Sequence, residues 1–486
     1  MRRKAAVGNF RALSARVTRN QRAGPIMTPA VTRRGASIMK AKIAIGVAPL
    51  SALAVFGQAA PAAASGFALN TQSAESLGAA TAGAQATPGK PGNAYFNPAS
   101  IVGVEGFETS FSVVGVWNDT SYDNAEAALF GTVPVAGETS GDAVIGDGVF
   151  PTGAVATKLN DRLFAGLAFY APFGFNSSYD DASVARYHGT LSQVVAASVS
   201  PLLGIDLGGG WSIAAGPRFQ YLENDIEGAN DAAGIEAALL MTSAVPGTDD
   251  VFYKINSTDW GYGFAAGFQG VIGERVTFGA SYSSKIDHRL KGSVDFAIED
   301  SAAAQTLAGA AGLFLDTDTV STLTTPATLQ FGARIEASEN TRLMVSASQN
   351  RWGAFKELVT RFENPAQPAE TLTQNWGNTW GGAVGVERDF GPAQTFRLGV
   401  MYEEGPVNEA YASPRLPGDS RVLVGAGYSR KLSDKAKLHL AASYIFHDTL
   451  PLNESAAYPE NLFRGSYQGD WKAGTVAAAI GIDWKF

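Results

Sequence analysis

From about residue 107 onward, apolar side chains recur at every second position in one segment after another, and this period restricts the fold more than any other feature of the chain. The last segment is the plainest: Val476, Ala478, Ile480, Ile482, Trp484 and Phe486 alternate with Thr475, Ala477, Ala479, Gly481, Asp483 and Lys485. The same rhythm runs through Trp211, Ile213, Ala215, Phe219 and Tyr221, through Val276, Phe278, Ala280 and Tyr282, through Phe396, Leu398, Val400 and Tyr402, and through Val422, Val424, Ala426 and Tyr428. Alternation alone leaves open whether the apolar face meets a protein core or lipid. Three further features decide for lipid. Very short polar turns (Asn160-Asp161-Arg162, Gly208-Gly209-Gly210, Gly273-Glu274-Arg275, Glu339-Asn340, Ser433-Asp434-Lys435) alternate with long variable connections, as on the two rims of an outer-membrane barrel. The opposite face is rich in Gly, Ala, Ser and charge, a poor soluble core but a reasonable lumen lining. Aromatic residues gather near segment ends, at Tyr282, Tyr402, Tyr428, Tyr444, Trp484 and Phe486, where an interfacial girdle needs them. Counting segments between turns predicts an all-β fold, a fourteen-stranded antiparallel transmembrane β-barrel whose first strand begins at Phe107 and runs to Trp117.

A mean hydropathy of -0.00 is too polar for a bundle of membrane-spanning helices and too apolar for a disordered chain. The one long uncharged apolar stretch, 43–56, is short for a span but fits a signal-peptide h-region, with Lys40 and Lys42 before it and Ala62-Ala63-Ala64 after it. Residues 39–64 are therefore expected to be a signal peptide and Ser65 the mature terminus. Residues 1–38 carry nine Arg or Lys and no acid, and are read as a mis-annotated leader preceding a true start at Met39. Eleven of the 37 basic residues and none of the 45 acidic ones precede Ser65, leaving 26 basic groups against 45 acidic in the body. So acidic a body argues against nucleic acid as a partner. The chain has no Cys.

A fourteen-stranded barrel is too wide for its own side chains to fill. The expected stopper is 65–106, which lacks alternation and is rich in Gly, Ala, Asn and Pro. Two long connections have helical spacing instead: Ile235, Ala238 and Leu239 within 231–245, and Leu307, Ala311 and Phe314 within 300–315, with Asp300 or Ser301 available as an N-cap. These short extracellular-loop helices either cap the barrel or offer an apolar landing surface to a greasy ligand. No Gly-x-Ser-x-Gly elbow, Walker loop or dinucleotide fingerprint occurs. The four histidines, at 188, 288, 439 and 447, have no metal-ligand spacing. His439 and His447 share inward parity, which leaves a lumen-rim hydrolase conceivable, but no Ser or Asp stands out as a partner. The chain thus reads as a non-enzyme, with no cofactor and no metal.

With these residues in view, the chain resembles the outer-membrane long-chain fatty acid transporters of the FadL/TodX type from Ser65 to Phe486. The resemblance is carried by Ser65-Gly66-Phe67-Ala68-Leu69-Asn70, Asn97-Pro98-Ala99, Arg186-Tyr187-His188, Asp259-Trp260-Gly261-Tyr262-Gly263-Phe264, Ser283-Ser284-Lys285, Phe355-Lys356-Glu357-Leu358, Gln374-Asn375-Trp376, Ser413-Pro414-Arg415-Leu416-Pro417 and Asp483-Trp484-Lys485-Phe486. It implies a lumen closed by an N-terminal hatch (65–106) inside the barrel (107–486). It further implies passive uptake of a hydrophobic small molecule, foremost a long-chain fatty acid, with lateral release through the wall. Carried over, Phe67 plugs the pocket at the hatch terminus, and Asn97, Pro98 and Ala99 shape the hatch where it meets the wall. Trp376 joins the lumen site, and Ile235, Leu239, Leu307 and Phe314 line the loop groove. Outer-membrane lipid, lipopolysaccharide and the barrel-assembly machinery are the partners implied by such a location. One departure concerns substrate: family members commonly carry a lysine after the Asn-Trp pair, whereas Gly377 follows Asn375-Trp376 here. Arg218 and Arg397 have inward parity and are the candidate replacements for holding a carboxylate, or else members of a charge ladder. Without such a group the resemblance leaves room for uncharged aromatic or aliphatic hydrocarbons. A general porin is the remaining alternative.

Overall fold

Alternating segments that expose one row of side chains to lipid must pair every backbone amide with a neighbour, and closure of the sheet on itself achieves this without leaving an edge. A computed structural model describes residues 66–486 except 143 and 419; the expected leader and signal peptide lie outside the described residues.

Fourteen antiparallel staves close the wall. They are β1 (Phe107–Leu129), β2 (Gly148–Lys158), β3 (Leu163–Ser178), β4 (Leu191–Gly208), β5 (Trp211–Asp231), β6 (Asp250–Ile272), β7 (Val276–Ser283 and Ile286–Phe296), β8 (Thr317–Thr325 and Thr328–Ser338), β9 (Thr341–Asn350 and Glu357–Phe362), β10 (Glu370–Thr373 and Thr379–Phe390), β11 (Gln394–Glu403), β12 (Arg421–Lys431), β13 (Ala436–His447) and β14 (Ser466–Lys485). The barrel closes where β1 meets β14, in register from Glu108↔Lys485 to Ser121↔Lys472 and beyond. β1 is far longer than its apolar stretch foretold, because the ladder continues past Trp117 with polar alternation. The five expected turns all lie on one rim, joined by a sixth at Gly391-Pro392-Ala393 that composition did not single out.

The apolar rows face outward. Val476, Ile480, Leu398, Val400, Phe396 and Val424 are exposed, whereas their neighbours Thr475, Ala477 and Arg397 are buried in the lumen. Trp117, Trp260, Tyr262, Trp380, Tyr402 and Tyr444 stand on the wall towards the long-loop rim, and Phe107, Trp211, Phe390, Phe396, Trp484 and Phe486 towards the short-turn rim. Two aromatic belts bounding an apolar band are the signature of a bilayer-spanning barrel, and short turns mark the periplasmic side.

Residues 66–106 fill the lumen and are almost wholly buried. A single-turn helix, α1 (Ala74–Leu77), is capped by Ser73, whose Oγ accepts from the Ser76 amide. The wall admits this hatch by lacking side chains where its backbone passes. A Cβ on Gly399 would stand 2.0 Å from the Ala79 carbonyl oxygen, one on Gly279 1.9 Å from that of Gln85, and one on Gly425 2.4 Å from that of Leu77. No real Cβ tolerates such approaches, so glycine is required at these inward positions.

On the long-loop rim, α2 (Ala232–Leu240) and α3 (Ala302–Ala311) are the two helical segments expected. Asp231 caps the first and Ser301, rather than Asp300, the second: its Oγ accepts from the Ala304 amide at 3.0 Å.

Candidate functional site

The hatch begins in an aromatic cage. Phe67 is fully buried, with its ring 4.6 Å from Trp352, 5.6 Å from Trp376, 5.7 Å from Phe355 and 5.7 Å from Phe173. Most of these contacts are edge-on or tilted, the favoured arrangement for aromatic pairs. Local chain breaks deliver the cage. β9 stops pairing at Asn350 and resumes at Glu357, and β10 pauses between Thr373 and Thr379; the two excursions carry Trp352 with Phe355, and Trp376, inward. Asn375 adopts a positive φ in the second excursion, and the Trp376 indole N–H donates to Gln374 Oε1 at 3.0 Å.

Beside the cage the wall has a seam. β2 pairs with β3 only from Gly153↔Phe169 to Lys158↔Phe164. Beyond that, β3 bulges between Tyr170 and Phe173, at Ala171-Pro172, and continues to Ser178 paired on one side with β4. The hatch terminus occupies part of the other side. Ala68 bridges Phe173, the Leu69 amide donates to the Pro172 carbonyl and the Gly174 amide to the Phe67 carbonyl, each at 2.9 Å. Gln72 completes the closure, its side-chain Nε2 donating to the Ala171 carbonyl of β3 at 2.6 Å while its main-chain carbonyl accepts from Thr152 Oγ1 of β2. Within the lumen next to Asn70, Gln85 and Phe96, a cavity of about 20 Å³ remains, room for a water-sized probe and no more. The first seven hatch residues described thus close the cage and bridge the lower part of the seam, while the hatch as a whole fills the lumen.

The rest of the hatch is fastened more firmly. Asn97 caps the 3₁₀ turn Pro98–Ile101, accepting from the Ala99 amide at 2.9 Å, and donates to the carbonyls of Gln85 at 2.7 Å and of Phe268, on β6, at 2.9 Å. Pro98 opens the turn, and the Ala99 carbonyl accepts from Gln269 of β6 at 2.7 Å. At the periplasmic end Glu75 pairs with Arg397 of β11 at 3.0 Å and with Lys90. Burial pushes the Glu75 carboxyl up, but Lys90 and then Arg397 overcome it and hold the group well below the usual carboxylate range.

The structure distributes the remaining expected residues unevenly. Ile235, Leu307 and Phe314 are buried in one apolar cluster on the long-loop side that extends down to Phe67, whereas Leu239 of α2 is exposed. Arg218 is buried on β5, its guanidinium reaching the Ser284 carbonyl at 3.3 Å. Arg397 lies between Glu75 and Glu387 and donates to Ser429, so its charge is engaged within a ladder. The Arg186-Tyr187-His188 tag pins its loop: Arg186 and Tyr187 both bind Asp250 at the head of β6. His188 is buried, which pushes its pKa down to about 3 and keeps the imidazole neutral.

Sequence reading missed Phe173, Trp352, Gln72 and Thr152; the only trace of the Trp352 excursion was the loss of alternation after Asn350. It also found no partner for His439, and here the structure corrects it. Ser429 Oγ lies 2.7 Å from His439 Nδ1, and Nε2 lies 2.9 Å from Asp483 Oδ2, the order of a nucleophile–base–acid triad. Ser429 is fully buried, however, and its oxygen is already held by Arg397. A nucleophile so placed has no approach for an acyl carbon. Glu75, His439 and Asp483 also bring one ligand atom each within 4.8 Å of one another. Arg397 and Lys90 already neutralise Glu75, so the cluster reads as an ion-pair network.

The sequence pattern of a family described as outer membrane protein transport protein (OMPP1/FadL/TodX) matches residues 55–486. A long-chain fatty acid transport protein of Escherichia coli O6:H1 is 22% identical over 415 residues, 81% of this chain and 90% of that one. The crystal structure of a Pseudomonas aeruginosa FadL homologue superposes with a TM-score of 0.78 at 21% identity, covering 87% of this chain and all of the other. That of the Ralstonia pickettii toluene transporter TbuX gives 0.62 at 16% identity, covering 86% and 99%.

Proposed function

The chain belongs to the OMPP1/FadL/TodX family of outer-membrane transport proteins, and from that premise we propose that it carries hydrophobic compounds, foremost long-chain fatty acids, passively across the outer membrane by lateral release through its wall. The observation that carries this reading is the position of Phe67. One side chain closes an aromatic cage while the backbone beside it seals the only stretch where β2 and β3 part. In this reading the ligand collects on the apolar loop cluster around Ile235, Leu307 and Phe314 and passes down to the cage. Withdrawal of residues 66–72 then opens both cage and seam together, and the ligand slides between β2 and β3 into the outer leaflet. An insoluble molecule suits such a path, because it is never solvated in an aqueous lumen.

Gly377 in place of a lysine, together with the all-aromatic cage, favours a second substrate class, uncharged hydrocarbons; the toluene transporter TbuX shares the fold. Uptake of radiolabelled oleate and of toluene by a strain lacking the gene, complemented with the intact gene or with one lacking codons 65–106, separates the readings. Oleate uptake restored only by the intact gene supports the first, toluene alone the second, and restoration of neither sinks both. A general porin would conduct ions steadily in planar bilayers, which this sealed lumen is expected not to do. Export through cleavage before Ser65 and insertion by the barrel-assembly machinery, with Phe486 closing the last strand, complete the proposal.

A further inference from the structure

We propose that the outer wall carries a docking site for a phosphorylated glycolipid of the outer leaflet, of the lipopolysaccharide type, built from Arg289 and Lys291 of β7 and Arg361 of β9. The proposal rests on the outer-membrane placement of the barrel and is independent of what the lumen transports.

In the upper half of β7, burial alternates strictly: Ile286, His288 and Leu290 face the lumen, and Asp287, Arg289 and Lys291 face out. Register places Lys291 opposite Thr258 of β6 on one side and Val320 of β8 on the other, and Val320 opposite Arg361. Lys291 and Arg361 therefore stand in one outward row two staves apart, roughly 10 Å, with Arg289 about 7 Å below Lys291 along its own stave. All three side chains are exposed, and none forms an ion pair among the described residues. By contrast Lys254, Lys285 and Lys472, also exposed on the outer half of the wall, are paired with Glu227, Asp287 and Asp123. The nearest acids form no ion pair with the trio: Asp259 accepts from the Arg289 main-chain amide and pairs with His288, Asp287 is held by Lys285 and Thr324, and Asp318 and Glu363 lie one row further from the membrane.

Height on the wall identifies the partner. Thr258, in the row of Lys291, is two residues beyond Trp260 in the outer aromatic belt, so Lys291 and Arg361 stand just outside that belt and Arg289 level with it, at the depth of headgroup phosphates. The three cations rim a concavity of about 990 Å³ that Ser293, Thr322 and Phe362 also line, with Asp318 and Glu363 along its outer edge, so that cations outnumber carboxylates three to two. Two guanidinium forks and an ammonium match the geometry of phosphate monoesters, and the hydroxyls and the aromatic edge suit the sugars that bear them.

The test measures binding of fluorescent bisphosphorylated lipid A and of its phosphate-free form to the purified barrel in detergent. The wild type is expected to bind the bisphosphorylated form at least tenfold more tightly, with affinity falling as salt rises. The triple variant Arg289→Ala, Lys291→Ala, Arg361→Ala should lose that preference, and Arg289→Lys with Arg361→Lys should keep most of it. Heat-modified electrophoretic mobility reports folding. Should the triple variant not fold, the wild type's discrimination between the two lipids decides alone. Equal affinity of the wild type for both lipids, or an unchanged preference in a folded triple variant, overturns the proposal. Oleate or toluene uptake plays no part in either outcome.

Discussion

Replacing Phe67 by alanine isolates the gate from the plug. The ring is fully buried among four aromatic partners, and Phe→Ala changes in well-packed cores cost about 3–5 kcal/mol. In the proposed opening the ring leaves the cage as residues 66–72 withdraw, so the loss falls on the closed state alone and shifts the closed-to-open equilibrium by its full amount. With the lower figure, because the cage can partly collapse onto the alanine, about 3 kcal/mol amounts to roughly a hundredfold rise in the open population at 1.4 kcal/mol per decade. Two amides report it directly: Leu69, donating to Pro172, and Gly174, donating to Phe67. Hydrogen exchange followed by mass spectrometry should show both accelerated about a hundredfold in Phe67→Ala, and much less in Phe67→Leu. The Asn97 amide, bonded to Asn93 within the fastened part of the hatch, should be unaffected. Exchange unchanged at Leu69 and Gly174 would refute a closed state held by the cage. Equal acceleration at Asn97 would refute a gate separable from the plug.

Other perturbations have equally definite outcomes. Gly399→Val puts a side chain onto the Ala79 carbonyl, a backbone clash that should exceed the usual ~1–3 kcal/mol of overpacking and raise single-channel conductance by displacing the hatch; Gly382→Ala, whose nearest neighbour is 3.9 Å away, should be silent in the same bilayer assay. Asn97→Asp should lower the thermal midpoint more than Asn97→Ala, since the carboxylate faces two carbonyls where the amide donated, against about 1–3 kcal/mol for donors simply lost. Because the folded-state pKa of Glu75 is depressed, its contribution is fully present above the ordinary value of 4.5 and is lost only as pH falls well below it. Thermal midpoints should therefore be flat from pH 7 to 5 and decline in stronger acid, and Glu75→Gln should remove that share of the decline.

Much of this was legible in the residues. Strands announce themselves through a two-residue period, and parity correctly put Arg218 and Arg397 inside. What parity could not supply is which inward groups meet. Ser429 and His439 face each other only through the register of β12 and β13, and Arg397 finds Glu75 across more than three hundred residues of chain. The cage escaped for a different reason. Trp352 and Trp376 sit where two staves abandon their ladder, so the signal was an absence of pattern, and Phe173 looks like any other wall residue until the bulge at Ala171-Pro172 turns the strand. Phe67 was found by family likeness alone.

The seam between β2 and β3 has a mechanical corollary. On the free edge of β3 the Pro172 carbonyl and the Gly174 amide are satisfied by the hatch terminus; in the proposed opening they would confront hydrocarbon, where an unsatisfied peptide group is costly. Opening of that kind would load its own restoring force, relieved when the terminus returns. A passage of the proposed kind would shut behind each passenger without any energy source, and stay ajar only while something apolar occupied the gap.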